Sequence, residues 1–226
     1  MNIEDESEET SLVPSTRDEA ALDVAAAVSS FAPWVGGPIS AVLTGMSGQR
    51  RMKRVAEVLD HLSEDLKNFK SEASEQYVKT EDFEELLEKT LRQAAEERSE
   101  EKRRIYGQFL TDAITSPGQP YYEQIPILRL LEDLQPDHIR IIKALLENPN
   151  PNPPSMGSVS QTLQSRLPKM NLRTIEELAR DLDDKRVTSV GQLGGMMTGH
   201  GAEDLRNRVM PVGHQLVKYL VEGSGA

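Results

Sequence analysis

The chain has 226 residues, no cysteine and a formal net charge of −11. A chain of this length can bury a stable core by itself, and the missing cysteines exclude a disulfide framework and a thiolate metal site. Residues 1–128 hold 14 Lys and Arg against 25 Asp and Glu, whereas residues 129–226 hold 12 of each. Because neither half is basic and aromatic residues make up only 4%, the composition argues against a base-stacking nucleic-acid platform.

The first segment, residues 1–17, is acidic and poor in apolar residues, which predicts a disordered tail. It lacks the basic start of a secretory signal, so we expect no export and a cytoplasmic protein. The high helix propensity of residues 18–30 then predicts a short helix.

The stretch FAPWVGGPISAVLTGM, residues 31–46, carries no charge and holds the only tryptophan. Two glycines let the chain reverse and a proline fits the first turn of the next helix, so one interpretation is a buried elbow of a helical bundle. The alternative is a hairpin of residues 20–47 that inserts conditionally into a membrane. Both interpretations depend on Phe31, Trp34, Val35, Gly36, Gly37 and Pro38.

Apolar residues recur at spacings of mostly three and four after this stretch, which predicts one long helix from Pro38 to about Ser71, with Gly45 and Gly48 as weak points. Residues 71–82 form the predicted linker to a second long helix, which Thr80 caps and which ends near residue 115. Its charged middle, EERSEEKRR, is expected to be a solvated helix with ion pairs three and four residues apart. Since two long helices joined by a modest linker pack antiparallel, residues 18–116 are predicted to form an elongated bundle around a hairpin.

Prolines at 117, 120 and 126 indicate a joint, so residues 117–133 are expected to hold this joint and a connecting helix. Pro136 opens a helix that is predicted to end near Glu147, before the sequence NPNPNPP. The remaining sequence predicts two short helices, a strand, the mobile Gly-rich loop GQLGGMMTGHG, a second strand and a closing helix.

The C-terminal part resembles the winged helix-turn-helix family over residues 134–221. LQPDHIRIIKALL is similar to the first helix of that family, and NLRTIEELARDLDDKRVTSV to its third helix and first wing strand. VMPVGHQLVKYL is similar to its closing segment, with Pro211 opening the last helix and Gly213 permitting close packing. The resemblance implies a small α+β domain over residues 134–222, so the expected fold class is mainly α: an elongated helical bundle followed by a winged-helix-like domain.

A DNA-binding member of this family presents basic side chains from its third helix, the preceding turn and the wing. The third helix here also carries five carboxylates, which repel phosphates. The basic residues at these places therefore contact either DNA or a protein partner. They are Arg166, Lys169, Arg173, Arg206 and Arg208.

No pattern in the sequence indicates catalysis. The four histidines are scattered, and none lies three or four residues from another, so a helical metal site is not expected. The Gly-rich loop has no following Lys-Ser pair of the phosphate-loop type. We therefore expect a protein that is not an enzyme and that holds no cofactor.

The N-terminal half, over residues 31–115, is similar to uncharacterised bacterial and prophage helical proteins in PWVGGPISAVLTG, QRRMKRV and EEKRRIYGQFLTDAIT. This similarity implies a bacterial setting. Because fold alone does not define function, we expect regulation through binding to a protein partner or to a second copy in a homo-oligomer. DNA contact and membrane action are the alternatives.

Overall fold

The computed structural model describes residues 39, 43–44, 48–66 and 72–221. Within them the fold is mainly α, as the sequence predicts, with ten helices of α type, one 3₁₀ turn and one two-stranded sheet. The predicted tail, the helix at 18–30 and the elbow from Phe31 to Pro38 lie outside the described residues.

The N-terminal part contains α1 (Gln49–Leu66), α2 (Glu72–Val78), α3 (Glu81–Glu96) and α4 (Glu100–Thr115). Helix α1 packs against both α3 and α4. Each helix buries one apolar stripe, as the spacing of three and four predicts. On α1 the buried residues are Val55, Ala56, Val58, Leu59 and Leu62.

The first long helix was predicted without a break, and this prediction is wrong. Gly48 interrupts it with φ +102°, a conformation that glycine adopts without steric cost, and α1 begins at the next residue. The predicted linker at 71–82 is wrong as well, because it contains α2. Its residue Val78 is fully buried, and Tyr77 contacts Phe83 edge to face, with ring centroids 5.4 Å apart.

The second long helix begins as predicted, since Thr80 Oγ1 accepts a hydrogen bond from the Phe83 N–H at 3.3 Å. It does not continue to residue 115, however, because α3 ends at Glu96. Ser99 caps the new helix α4 by accepting from the Lys102 N–H at 3.3 Å. The charged sequence expected in the middle of one helix thus forms a kink between two.

Two arginines satisfy carbonyl groups that the kink exposes. Arg54 Nη1 donates to Ala95 O at 2.9 Å, and Arg103 Nη1 donates to Arg98 O at 2.9 Å. Arg103 also donates from Nε to Glu57 Oε2 of α1 at 2.7 Å. Because helix ends leave carbonyls without intrahelical partners, these side chains, one from α1 and one from α4 itself, stabilise the kink.

The middle of the chain contains α5 (Tyr121–Asp133), with Pro126 inside it, and α6 (Pro136–Leu146). Pro136 occupies the first turn of α6, as predicted, where its missing N–H costs no hydrogen bond. The structure therefore has the connecting helix, and the break before Pro136, at the positions that the prolines predicted.

The C-terminal part continues with β1 (Met156–Gly157), α7 (Val159–Arg166), α8 (Leu172–Asp184), β2 (Met197–Thr198), α9 (Gly199–Glu203), a 3₁₀ turn (Arg206–Arg208) and α10 (Pro211–Val221). β1 pairs antiparallel with β2, with Met156 opposite Thr198 and Gly157 opposite Met197. The sequence did not predict this sheet.

The two strands predicted to flank the Gly-rich loop meet in a single antiparallel bridge between Thr188 and Val209. The loop itself was expected to be mobile, but it contains β2 and the start of α9. Thr198 Oγ1 caps α9 by accepting from the Gly201 N–H at 3.2 Å, and α9 packs against α7. At Gly213 a Cβ would lie 2.3 Å from Val187 O, so this residue does permit the close approach that the sequence suggested.

The buried apolar residues of the N- and C-terminal parts form one contiguous core. Helix α10 packs against α4, α5 and α6. Tyr219 of α10 contacts Phe109 edge to face at 5.7 Å, and its hydroxyl donates to Asp112 Oδ2 at 3.1 Å. The last helix therefore joins the two parts.

Candidate functional site

The structure divides the five predicted contact residues into two groups. Arg166, Arg206 and Arg208 donate hydrogen bonds to main-chain carbonyls of their own domain. Lys169 and Arg173 have exposed side chains near the turn between α7 and α8. The five residues consequently do not form one basic surface.

Arg166 is an internal connection between three elements. Its side chain is only 7% exposed; Nη1 donates to Ala144 O of α6 at 2.7 Å, and Nη2 lies 2.6 Å from Glu203 Oε2 of α9. Burial alone would raise the pKa of Glu203, but the Asn150 N–H and the Arg166 guanidinium together lower it. This guanidinium is bound to α6 and α9 within the protein.

Arg206, which is exposed, and Arg208, which is half-buried, also donate hydrogen bonds to main-chain carbonyls of the C-terminal part. Arg206 Nε donates to Leu146 O, the last residue of α6, at 2.7 Å. Arg208 Nη1 donates to Val190 O at 2.9 Å, across the base of the Gly-rich loop. Arg206 thereby satisfies a carbonyl group at the C-terminal end of α6, and Arg208 satisfies a loop carbonyl group.

The exposed side of α8 is lined with ion pairs. Arg173 Nε donates to Glu177 Oε1 at 2.8 Å, and Arg180 lies 3.5 Å from Glu176. Asp183, at the end of the helix, accepts from the main-chain N–H groups of two loop residues at 2.8 and 2.9 Å. Each exposed arginine of α8 therefore already has a carboxylate partner, which opposes phosphate binding.

A groove of about 550 Å³ opens between the first turns of α6 and the turn that joins α7 to α8. The turn is fixed by Gln164, whose Nε2 donates to Leu167 O at 3.3 Å and to Met170 O at 3.0 Å. The groove combines an apolar surface with basic side chains and one carboxylate. Its lining residues are Asp137, Arg140, Arg166, Leu167, Pro168, Lys169 and Met170.

The charges of the groove are available to a ligand. Arg140 pairs with Asp137, but both side chains are about half exposed. Within the part of the chain that the structure describes, no partner lies within ion-pair distance of Lys169, whose side chain is exposed. Leu172, which follows the groove at the start of α8, is 42% exposed. The groove therefore offers apolar contact area next to positive charge.

His138 connects the groove-forming end of α6 to α8. Its imidazole is buried; Nδ1 accepts from the Gln135 N–H at 3.0 Å, and Nε2 lies 2.9 Å from Asp181 Oδ2. Burial lowers the pKa of His138, and the nearby Asp181 carboxylate only partly opposes this shift. The neutral imidazole fits the contacts, because a protonated Nδ1 would point an N–H at another N–H.

Sequence reasoning considered the histidines as possible metal ligands and missed this connection. The signal was present, since Gln135 at the N-cap and His138 three residues later have the spacing of a capping box.

A second cavity, of about 350 Å³, lies beside the kink between α3 and α4. Its buried Lys102 Nζ lies 3.0 Å from Glu97 Oε2 and donates to Glu132 O at 3.0 Å. Burial raises the pKa of Tyr106, which lies below the Lys102 ammonium group. These contacts stabilise the kink and leave the ammonium group paired.

Neither a metal site nor a membrane span emerges from the described ranges. They contain no cluster of three or more His, Cys, Asp or Glu that could hold a metal ion. Among the helices described, none combines the length and apolar character that crossing a membrane requires.

Comparison of the chain with known proteins gave no match: no family model fits it, and no curated protein or solved structure is similar to it. The groove and the arginine contacts are thus the observations on which a function can rest.

Proposed function

We propose that this is a non-enzymatic regulatory protein whose C-terminal domain binds a protein partner through the groove beside the α7–α8 turn. The observation that supports this most directly is that three of the predicted contact arginines donate hydrogen bonds to main-chain carbonyls of the protein itself. Arg166 is buried, and the half-buried Arg208 and the exposed Arg206 each donate to a carbonyl group of the C-terminal part, so the predicted basic set does not form one free basic surface for DNA phosphates. Arg173 is in turn paired with a carboxylate.

The groove has the character of a peptide-binding surface. Protein interfaces place apolar contacts at the centre and polar or charged groups at the rim. Leu167 and Met170 supply the apolar contacts here, and Arg140 and Lys169 supply charge. A volume of about 550 Å³ accommodates a few side chains of a partner. In protein interfaces a few such anchoring side chains supply most of the binding energy.

The winged-helix-like organisation of this domain is part of the proposal. Helices α6, α7 and α8 follow one another as the three helices of that family would, and the bridge between Thr188 and Val209 supports a wing that begins and ends there. Helix α10 then closes the domain from Pro211 onward.

A photo-crosslinking experiment tests the partner surface. We expect a photoreactive amino acid at Met170 to give discrete protein adducts in host cells. The same group at Lys79, exposed on the N-terminal part, is the matched control and should give none. Equal adduct patterns at both positions, or no adduct at position 170, would contradict the proposed surface.

Binding to labelled random duplex DNA at low salt tests the alternative function. We expect no binding that weakens steeply with added salt and none that depends on Lys169 or Arg173. A steep salt dependence that diminishes in Lys169→Ala and Arg173→Ala would replace protein binding with DNA binding, because phosphate contacts release counterions.

The partner in this proposal is another protein, and a second copy of the chain is one such partner. Light scattering at micromolar concentration distinguishes the two. A dimer that dissociates when Met170 is changed to Glu would identify the second copy, whereas a monomer would leave a different protein as the partner.

A further inference from the structure

The groove is locally basic in a chain of net charge −11. Arg140, Arg166 and Lys169 line it against one carboxylate, Asp137. The start of the sequence is one-sidedly acidic, since residues 1–13 contain five Asp and Glu and no Lys or Arg. The same stretch ends in the apolar pair Leu12-Val13. Its acidic and apolar residues thus match the basic and apolar residues of the groove.

We propose that residues 4–13 dock in this groove of the same chain and thereby compete with the partner. The contact is inferred from complementary charges and apolar residues. Only its regulatory consequence, competition with the partner, depends on the proposed function. The carboxylates lie against Arg140 and Lys169, and Leu12 or Val13 packs against Leu167 and Met170.

The groove can accept these carboxylates at little energetic cost. An exposed ion pair such as Arg140–Asp137 contributes between 0 and about 1 kcal/mol, so Arg140 exchanges one carboxylate for another readily. Lys169 gains a partner without losing one. Arg166 keeps its bonds to α6 and α9, and because the Glu203 carboxylate offsets its charge, the attraction for the segment comes from Arg140 and Lys169.

The connecting chain is long enough for this contact. Residues 14–38 separate the acidic stretch from Ile39, the first described residue. Even with residues 18–30 counted as the predicted helix, these 25 residues reach about 60 Å. A folded unit of this size has a radius of gyration of about 16 Å. Tethering also raises the local concentration of the segment to the order of 1 mM, which populates a weak contact.

Paramagnetic NMR of the full-length chain tests the contact. The absence of cysteine allows one spin label at Ser7→Cys. We expect the amide signals of Leu167 and Met170 to lose most of their intensity. The loss should disappear in the variant Arg140→Glu/Lys169→Glu and persist in the matched control Lys53→Glu/Lys79→Glu, whose changes lie on exposed residues away from the groove. Unaffected groove signals, or a loss that survives the groove variant, would overturn the proposal.

Mixing isotopically labelled chains with separate spin-labelled chains identifies the occupant. No intensity loss is expected in the mixture, because the proposal assigns the segment to its own groove. Intensity loss in the mixture would overturn this assignment and place the segment of a second copy there.

The crosslinking experiment keeps the two proposals distinguishable. Changing Glu4, Glu6, Glu8 and Glu9 to Gln should increase adduct yield at position 170 several-fold. Adducts whose yield does not change would leave partner binding standing and remove the competition by the tail. If neither the unchanged chain nor the Glu→Gln variant gives adducts, while the intramolecular NMR effect persists, the proposed partner binding is refuted and the docking of the tail is not.

Discussion

The kink between α3 and α4 and the end of α6 are each stabilised by an arginine side chain. The carboxylate partners of these two arginines differ in solvent exposure. At each place an arginine side chain donates to main-chain carbonyls and pairs with a carboxylate of another element; Arg103 lies in α4 itself, and Arg166 lies in α7. At the kink, the partner of Arg103 is Glu57, whose side chain is 35% exposed. At the end of α6, the partner of Arg166 is Glu203, whose side chain is 11% exposed. Similar contacts should therefore differ in their contribution to stability.

The largest effect is expected for Arg166→Ala. This change leaves the Glu203 carboxylate buried without its counter-charge, and removing one partner of a buried ion pair typically costs about 3–5 kcal/mol. Urea denaturation of the variant measures the loss. Arg173→Ala, which removes an exposed pair, is the control and should cost less than about 1 kcal/mol. Equal losses in the two variants would contradict the distinction between internal and exposed arginines.

A smaller loss is expected for Arg103→Ala, about 1–3 kcal/mol. The change removes hydrogen bonds to the kink carbonyls, but Glu57 is exposed enough to regain water. The same denaturation measurement applies, with Arg92→Ala on the exposed side of α3 as control. A loss as large as that of Arg166→Ala would show that exposure of the carboxylate does not set the difference.

The His138 contact predicts a pH dependence of stability. Because burial lowers the pKa of His138, the unfolded chain binds a proton more readily than the folded chain. Stability should therefore be complete above the ordinary histidine pKa of about 6.5 and fall as the pH drops through the folded value. Urea midpoints between pH 8 and 5 measure this fall.

His138→Gln should remove that fall, since Gln at the third helical position still fits a capping box. His214→Gln, at an exposed position of α10, should keep it. A pH dependence that persists unchanged in His138→Gln would contradict the assignment to this imidazole.

The smallest effect, and one of opposite sign, is expected for Arg186→Gly. Arg186 follows α8 with φ +58°, in the left-handed region where non-glycine residues are strained. Glycine relieves this strain but loses more backbone entropy on folding, so the net gain should be less than about 1 kcal/mol. Thermal unfolding measures it, with Lys185→Gly, in right-handed helical conformation, as a destabilising control.

The sequence predicted structure well where the cause is local. Thr80 caps α3, Pro136 opens α6 and Pro211 opens α10 because each acts on the backbone of its own first turn. The break after α3 was missed for a non-local reason. Ser99 is a local capping signal within the charged stretch, but the Ala95 carbonyl is satisfied by Arg54, about 40 residues away in sequence, and no window of that stretch contains this second contact.

The candidate site was predictable only in part. The turn between α7 and α8 was located by the resemblance to winged-helix proteins, and Lys169 and Arg173 are indeed exposed there. The role of Arg166 depends on Glu203, 37 residues later, so a basic residue near a turn was assigned to the surface. The groove required the start of α6 to lie against that turn, which sequence spacing does not determine.

A double-mutant cycle on Arg166 and Glu203 tests most directly whether the predicted contact arginines hold the domain together. The single variants Arg166→Met and Glu203→Gln and their combination are unfolded in urea. We expect the double variant to be more stable than the sum of the single losses by about 1–3 kcal/mol, the coupling typical of residues in one network. Additive losses, together with DNA binding that Arg166→Met weakens, would contradict this account.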